Sequence, residues 1–449
     1  MTTKSLTPPG PRGLPLFGVA LQVRRDPLNL LLRLAREYGD VVRLPVMGQQ
    51  RILLNRPDFI QQMLLIQHAK FHKSDLTKQA VGPMLGQGLL ISEGEFWRRQ
   101  RRFAQPAFHR SRVNEYAPAM IGVAQKHIER WRDGETRDVA SEMMAIALEV
   151  AVQTLFGTAL SGEAEHVGRA TAFLMRYSLG RARAPFRLPR RWPTPKNKRA
   201  TREFDFLDSL VYRIIEERRE QRDAAQRTDL LSLLMAALDE DGTQMTPKQL
   251  RDEAMTLFIA GHETTALLLA WTWYLLAKNP NVEAALHQEL RGALGAAAPS
   301  LPDLPRLPYL HAVMKETLRL YPPAYLMART SIAPVTIGGY EFGAGSTFIS
   351  SQWVTHRDAR YFDEPEAYRP ERWLDGLESR LPSGAYYPFG DGPRRCIGQG
   401  FAMLEAALVS ACVAQRFQFR LLPGEEVVPE PLITLRPHNG IRMVLHARG

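Results

Sequence analysis

Cysteine is nearly absent: Cys396 and Cys412 are the only two in 449 residues. That excludes a disulfide framework and makes a reducing compartment the expectation. It also excludes a resident iron–sulfur cluster, which takes about four thiolates. Long apolar runs are missing too. The longest, Ala266–Ala277, falls well short of the ~18–20 residues needed to cross a bilayer. The opening segment, MTTKSLTPPGPRGLPLFG, is polar and proline-rich and has no apolar stretch of the kind a secretion signal carries. These shortages lead us to expect a cytoplasmic protein without a membrane span.

Internal repeats and long low-complexity linkers are also lacking. With 45% hydrophobic and 23% charged residues, the composition is that of a globular protein with a sizeable core. The length permits one large unit or two domains of roughly 100–200 residues each. Acids are scarce in one place: from Arg176 to Arg202 there are ten lysines or arginines and no carboxylate, in a chain of net charge +11. A second basic cluster is WRRQRR at 97–102. Neither carries a nucleic-acid-binding module, so no nucleic acid is expected as partner. A solvated basic face, or a docking site for an acidic protein, fits better.

What is present is mostly helical pattern. VVRLPVMGQQRILLN (41–55) reads as a hairpin about Gly48, and helix then dominates to about residue 320. Pro185, Pro189, Pro193 and Pro195 predict that the Arg176–Arg202 stretch is loop. Short β-like pieces recur near 329–350 and 415–446. The fold class predicted is mainly α with small peripheral β-sheets. The clearest helix opens at Thr246-Pro247-Lys248-Gln249, where a capping threonine, a proline at the first helical position and a glutamine closing a capping box coincide. Asn279-Pro280 ends it. At ~1.5 Å per residue it is about 50 Å long, and its C-terminal half is apolar nearly all round, so it must run through the interior.

Within that helix, FIAGHETTALLL (258–269) begins like a zinc-protease motif, but Ala266 stands where the second histidine would be. Zinc is therefore excluded. Gly261 costs about 1 kcal/mol of helix propensity, and threonine hydroxyls can bond back to carbonyls one turn earlier and bend the ladder. Together Ala260, Gly261, Glu263, Thr264 and Thr265 predict a groove in a buried helix, flanked by an acid and a hydroxyl; a core helix with a tolerated polar patch is the alternative. KETLRLYPP sets Glu316 and Arg319 three apart, which alone is most often a surface pair. Arg372 in YRPERW, a stretch read as too proline-broken for helix, could complete a buried network with them. Trp97 and Arg101 stand one helical turn apart, an indole and a guanidinium suited to a ligand carboxylate or equally to an exposed basic helix. Finally, FGDGPRRCIGQGFA (389–402) places Cys396 among Gly390, Gly392, Gly398 and Gly400. Glycine lets backbone approach something large and flat and permits positive φ, and a helix start just beyond favours the thiolate. Cys396 thus reads as an axial metal ligand, and Cys412 as a buried structural thiol.

Phe389, Gly392, Arg394, Cys396 and Gly398 resemble F-x-x-G-x-R-x-C-x-G, the haem-binding loop of the cytochrome P-450 family. Ala260-Gly261-x-Glu263-Thr264-Thr265 resembles its oxygen-activation motif. Glu316-x-x-Arg319 resembles its E-x-x-R, with Arg372 as partner, and Trp97-x-x-x-Arg101 its W-x-x-x-R. The resemblance covers the whole chain. It implies one domain over 1–449, with 1–20 a proline-rich N-terminal segment and no fused reductase, folded as a triangular helical prism with haem b between the long helix and the helix after the cysteine loop.

By the resemblance, the reaction is R–H + O₂ + two electrons + two protons → R–OH + H₂O, with Cys396 holding haem iron. Glu263 and Thr264 would be the catalytic proton donors. Trp97, Arg101, Arg329, Phe389, Arg394 and Gly398 would bind the cofactor, and Glu316, Arg319 and Arg372 would be structural. By analogy Met84, Leu85, Leu89, Phe258, Ala260, Tyr325, Leu326, Met327 and Ile433 would line a pocket for a hydrophobic substrate: a fatty acid, terpenoid or steroid. Electrons would come from a ferredoxin or flavodoxin with its NAD(P)H reductase, docking on the outward arginines near Arg98 and Arg99, and the protein is expected to be a monomer. A peroxide-driven peroxygenase and a non-catalytic haem-thiolate sensor are the alternatives. The presence of both Glu263 and Thr264 favours O₂ chemistry over either.

Overall fold

In the computed structural model, residues 7–158, 162–184, 189–220, 229–239 and 242–448 are described. The chain forms two compact units, 1–78 with 315–396, and 79–314 with 397–449.

The first unit is built on a five-stranded sheet, in the order Val41–Val46, Gln49–Leu54, Thr347–Ser350, Met327–Ser331, Phe71–Lys73. Its first two strands are the hairpin expected from sequence, in register from Val41↔Leu54 to Val46↔Gln49. Successive side chains of a strand point to opposite faces. Accordingly Ile52, Leu54 and Phe348 pack with Phe59, Ile60 and Met63, whereas Leu53 and Ile349 pack with Leu30, Leu31 and Leu34 of the helix Pro27–Tyr38. Burying each such side chain contributes about 1.5–3 kcal/mol.

The second unit is organised by the long helix, Pro247–Lys278. Its start is as read from the sequence: the Thr246 hydroxyl accepts from Gln249 N–H at 3.2 Å, and the Gln249 side chain accepts from Thr246 N–H at 2.8 Å. It packs chiefly on the helix Val139–Leu155 and also on Gln399–Arg416. The buried Trp271 indole donates to Leu435 O at 2.9 Å, fastening the helix to the hairpin Pro429–Pro431/Leu435–Pro437. A three-stranded sheet of Thr136–Asp138, Arg442–Ala447 and Phe417–Leu421 completes the unit.

Two expectations change. The stretch Arg176–Arg202 is not one loop: Ala164–Arg183 and Pro195–Glu220 are helices, and Pro195 is the first residue of the second. A proline there costs nothing, because the first helical N–H has no partner to lose. Pro185 and Arg187 lie outside the described residues. Arg372 sits in a helix after all, the single turn Glu371–Leu374, which begins just past Pro370.

Candidate active site

The cysteine loop is shaped by its glycines. Gly390 has φ +72° and Gly392 φ +68°, the left-handed region that side chains avoid. A Cβ on Gly392 would stand 2.1 Å from Leu64 O, and one on Gly390 3.2 Å from Met327 Cε. Gly398 and Gly400 serve differently: Gly398 is the N-cap of Gln399–Arg416 at φ −86°, and Gly400 lies inside that helix. Cys396 N–H donates to Phe389 O at 2.9 Å, closing the loop on itself. No residue from Pro388 to Gly400 is buried, although Phe389, Cys396 and Ile397 are apolar, and Cys396 itself is exposed. An apolar backbone cradle with an outward thiol fits a large flat group such as haem.

The long helix carries one opening. From Leu250 to Leu276 every residue is buried except Ala260, Gly261 and Thr264, which share a face. Thr264 Oγ1 donates to Ala260 O at 2.9 Å and Thr265 Oγ1 to Gly261 O at 3.3 Å, yet the helix stays α throughout. Gly261 does other work than expected: a Cβ there would meet Leu155 Cδ1 at 3.2 Å, so the glycine admits the neighbouring helix, and Ala260 and Thr264 form the opening.

Glu263 points away from that opening and is 1% exposed. Its Oε1 accepts from Arg436 Nε and Nη2, both at 2.8 Å, and from the Thr434 hydroxyl. Its Oε2 is buried with no hydrogen-bond partner among the described residues. His262 beside it is fully enclosed and donates through Nδ1–H to Phe258 O at 2.6 Å, and burial pushes its pKa down. Arg436 was missed from sequence: it lies in a three-residue strand, too short to show a periodic pattern.

The remaining residues fall as follows. Trp97 and Arg101, on Gly94–Ala104, are half-buried, with the guanidinium carbon 5.9 Å from the indole centroid. Arg329 is buried in the strand Met327–Ser331, and Arg394 is half-buried in the turn Gly392–Arg394. Among the pocket residues, Ala260, Leu326, Met327 and Ile433 have open surface. Met84, Leu85, Leu89 and Tyr325 are buried. Phe258 is wholly enclosed, its ring 5.9 Å from Phe156. Of the arginines near Trp97, Arg98 is well exposed beside Glu95. Arg99 turns inward to Asp239 at 2.6 Å, and Arg102 reaches the same carboxylate at 2.7 Å.

Glu316, Arg319 and Arg372 are brought together. Arg319 Nε and Nη2 each donate to Glu316 at 2.8 Å, Arg372 Nε at 3.0 Å, Trp373 Nε1 at 2.9 Å and Arg369 N–H at 2.9 Å. Arg319 spends its other donors on the carbonyls of His356, Pro365 and Ala367.

A mainly helical fold with small sheets, a glycine-built loop presenting one thiol, and an acid–threonine helix define the haem-thiolate class of oxygenase. The cytochrome P-450 family pattern matches residues 8–442. Cyclooctatin synthase of Streptomyces melanosporofaciens is 36% identical over 440 residues, covering 98% of this chain and 95% of that one. Cyclooctat-9-en-7-ol 5-monooxygenase of the same organism is 35% identical over 419 residues, 92% and 90% of the two chains. Pentalenene oxygenase of Streptomyces avermitilis is 32% identical over 439 residues, 98% and 97%. The chain belongs to the cytochrome P-450 family and is a P-450 monooxygenase.

Proposed function

We propose that this monooxygenase hydroxylates an apolar ring terpenoid, the class favoured among fatty acid, terpenoid and steroid. The observation that carries the reading is the single opening in the long helix, where Ala260 and Thr264 offer one hydroxyl on an otherwise apolar face. A site with so few polar handles suits an apolar ligand. The relatives' names point the same way, to an unsaturated ring alcohol and an unsaturated hydrocarbon.

Cys396 would be the thiolate ligand, and Trp97, Arg101, Arg329 and Arg394 the donors to haem propionates. Haem iron supplies the oxygen-activating chemistry when bound. Thr264, its proton engaged on Ala260 O, keeps its lone pairs for a water in the opening. Glu263 has one oxygen, Oε2, left to carry a proton. We treat the two units as one catalytic domain, since a single family match spans both, acting in the cytoplasm as a monomer. Among the described residues no helix is long and apolar enough to cross a membrane.

The test is a Soret titration with a panel of terpenoid hydrocarbons, fatty acids and steroids. A low-to-high-spin shift with terpenoids is expected; a shift with fatty acids alone would sink the substrate assignment. For electron supply, a ferredoxin or flavodoxin is proposed to dock at Arg98 and Arg102. Reversing both to Glu should slow reduction and weaken its salt dependence without altering the spin-shift titration; an unchanged reduction rate argues against that face.

A further inference from the structure

The long helix begins its buried course with two acids. Asp252 is 3% exposed and Glu253 1%, and both reach the same segment, residues 86–92. Gln87 N–H donates to Asp252 Oδ2 at 2.9 Å, and Leu89 N–H donates to Glu253 Oε2 at 3.0 Å. The approach is close. A Cβ on Gly86 would stand 2.1 Å from the Asp252 carboxylate, and one on Gly88 1.9 Å from Thr256 Oγ1. The segment is therefore held by its backbone, and its glycines are what let it come near.

The two acids differ in their compensation. Asp252 is paired with Lys248 Nζ at 2.8 Å and Arg251 Nη1 at 2.9 Å, and Arg251 also reaches Asp208. Among the described residues Glu253 has no cation partner. Its Oε1 is buried without a hydrogen-bond partner, and the charge acting on it is that of Asp252 next door. Segment 86–92 contributes no titratable side chain. An ionised Glu253 would be a buried, uncompensated charge, whereas the neutral acid still accepts from Leu89.

We propose that Asp252 and Glu253 are positioning residues that clasp segment 86–92 to the long helix, Glu253 as the neutral acid, so that its ionisation releases the segment. The clasp would hold Leu85 and Leu89 in place as substrate wall; that consequence rests on the pocket assignment above, and the clasp itself does not.

Burial, moderated by the Leu89 N–H and reinforced by Asp252, raises the Glu253 pKa from 4.5 to about 8. In a released segment Glu253 meets water and ionises near its ordinary value. Between these limits closing takes up one proton, so the closing constant falls about tenfold per pH unit and levels off near pH 8, roughly fiftyfold from pH 6 to pH 8.

Amide hydrogen exchange on the haem-loaded protein at both pH values reads this directly, after correction for intrinsic rates. Leu89 protection is expected to fall about fiftyfold in the wild type and to stay constant in Glu253→Gln, which keeps the acceptor and cannot ionise. In Glu253→Leu it should be low at both. Wild-type protection independent of pH, or an equal fall in Glu253→Gln, overturns the proposal; these two proteins decide it even if Glu253→Leu does not fold. The ferrous–CO spectrum and a terpenoid Soret titration of the same samples report the haem and substrate readings separately. Ligand affinity that follows Leu89 protection supports the clasp as substrate wall; exchange that follows pH while affinity does not supports the clasp alone.

Discussion

The two units treat buried carboxylates in opposite ways. In the first, Glu316 receives five donors, three from guanidinium groups and the others from the Trp373 indole and the Arg369 amide. In the second, Glu263 and Glu253 each leave one oxygen without a partner, and Glu405, 0% exposed, leaves both. A carboxylate met by that many donors, three of them from cations, ties its neighbours together and holds structure. At Glu253 and Glu405, where burial has no cation to offset it, the neutral acid is favoured and a proton can arrive or leave. The difference separates a girder from moving parts within one chain.

Breaking the saturated side should produce the largest effect. Glu316→Gln would leave Arg319 and Arg372 buried without their anion, a loss of about 3–5 kcal/mol. A drop in thermal midpoint large enough to impair recovery of folded protein is expected, and a variant as stable as the parent would refute the girder role. The unsaturated side responds more gently and through pH. Burial raises the Glu405 pKa well above 4.5. As pH climbs past 4.5 the unfolded chain ionises at this position and the folded one does not, so stability declines by about 1.4 kcal/mol per pH unit until the folded group titrates. Glu405→Gln removes that slope. Melting curves from pH 5 to pH 8 should diverge, with the variant gaining as pH rises; parallel curves would mean Glu405 is compensated.

Legibility followed the range of the signal. The cap and end of the long helix rest on residues within four positions of one another, and both stand where the sequence put them. Glu316–Arg319 is equally local, but Arg372 lies 56 positions from Glu316, and spacing alone offered it as one option that the family pattern then favoured. Arg436 lies 173 positions from Glu263, and nothing in a three-residue strand announces such a pairing. The clasp was hidden for another reason: one partner in each of its bonds is backbone, which has no letter in the sequence. Gly86 and Gly88 were its only trace. The prolines of 185–195 were given too much weight, as Pro195 starts a helix rather than forbidding one.

The cysteine economy has a practical side. Burial pushes Cys412 up to about 12 and shields it, while Cys396 stands open at the surface of its loop. To a thiol reagent the polypeptide is therefore a molecule with a single handle, and that handle is the atom proposed to grip iron. Counting labels per chain then becomes a stoichiometric gauge of loading: one on the empty polypeptide, none on the charged one, with no spectrum required.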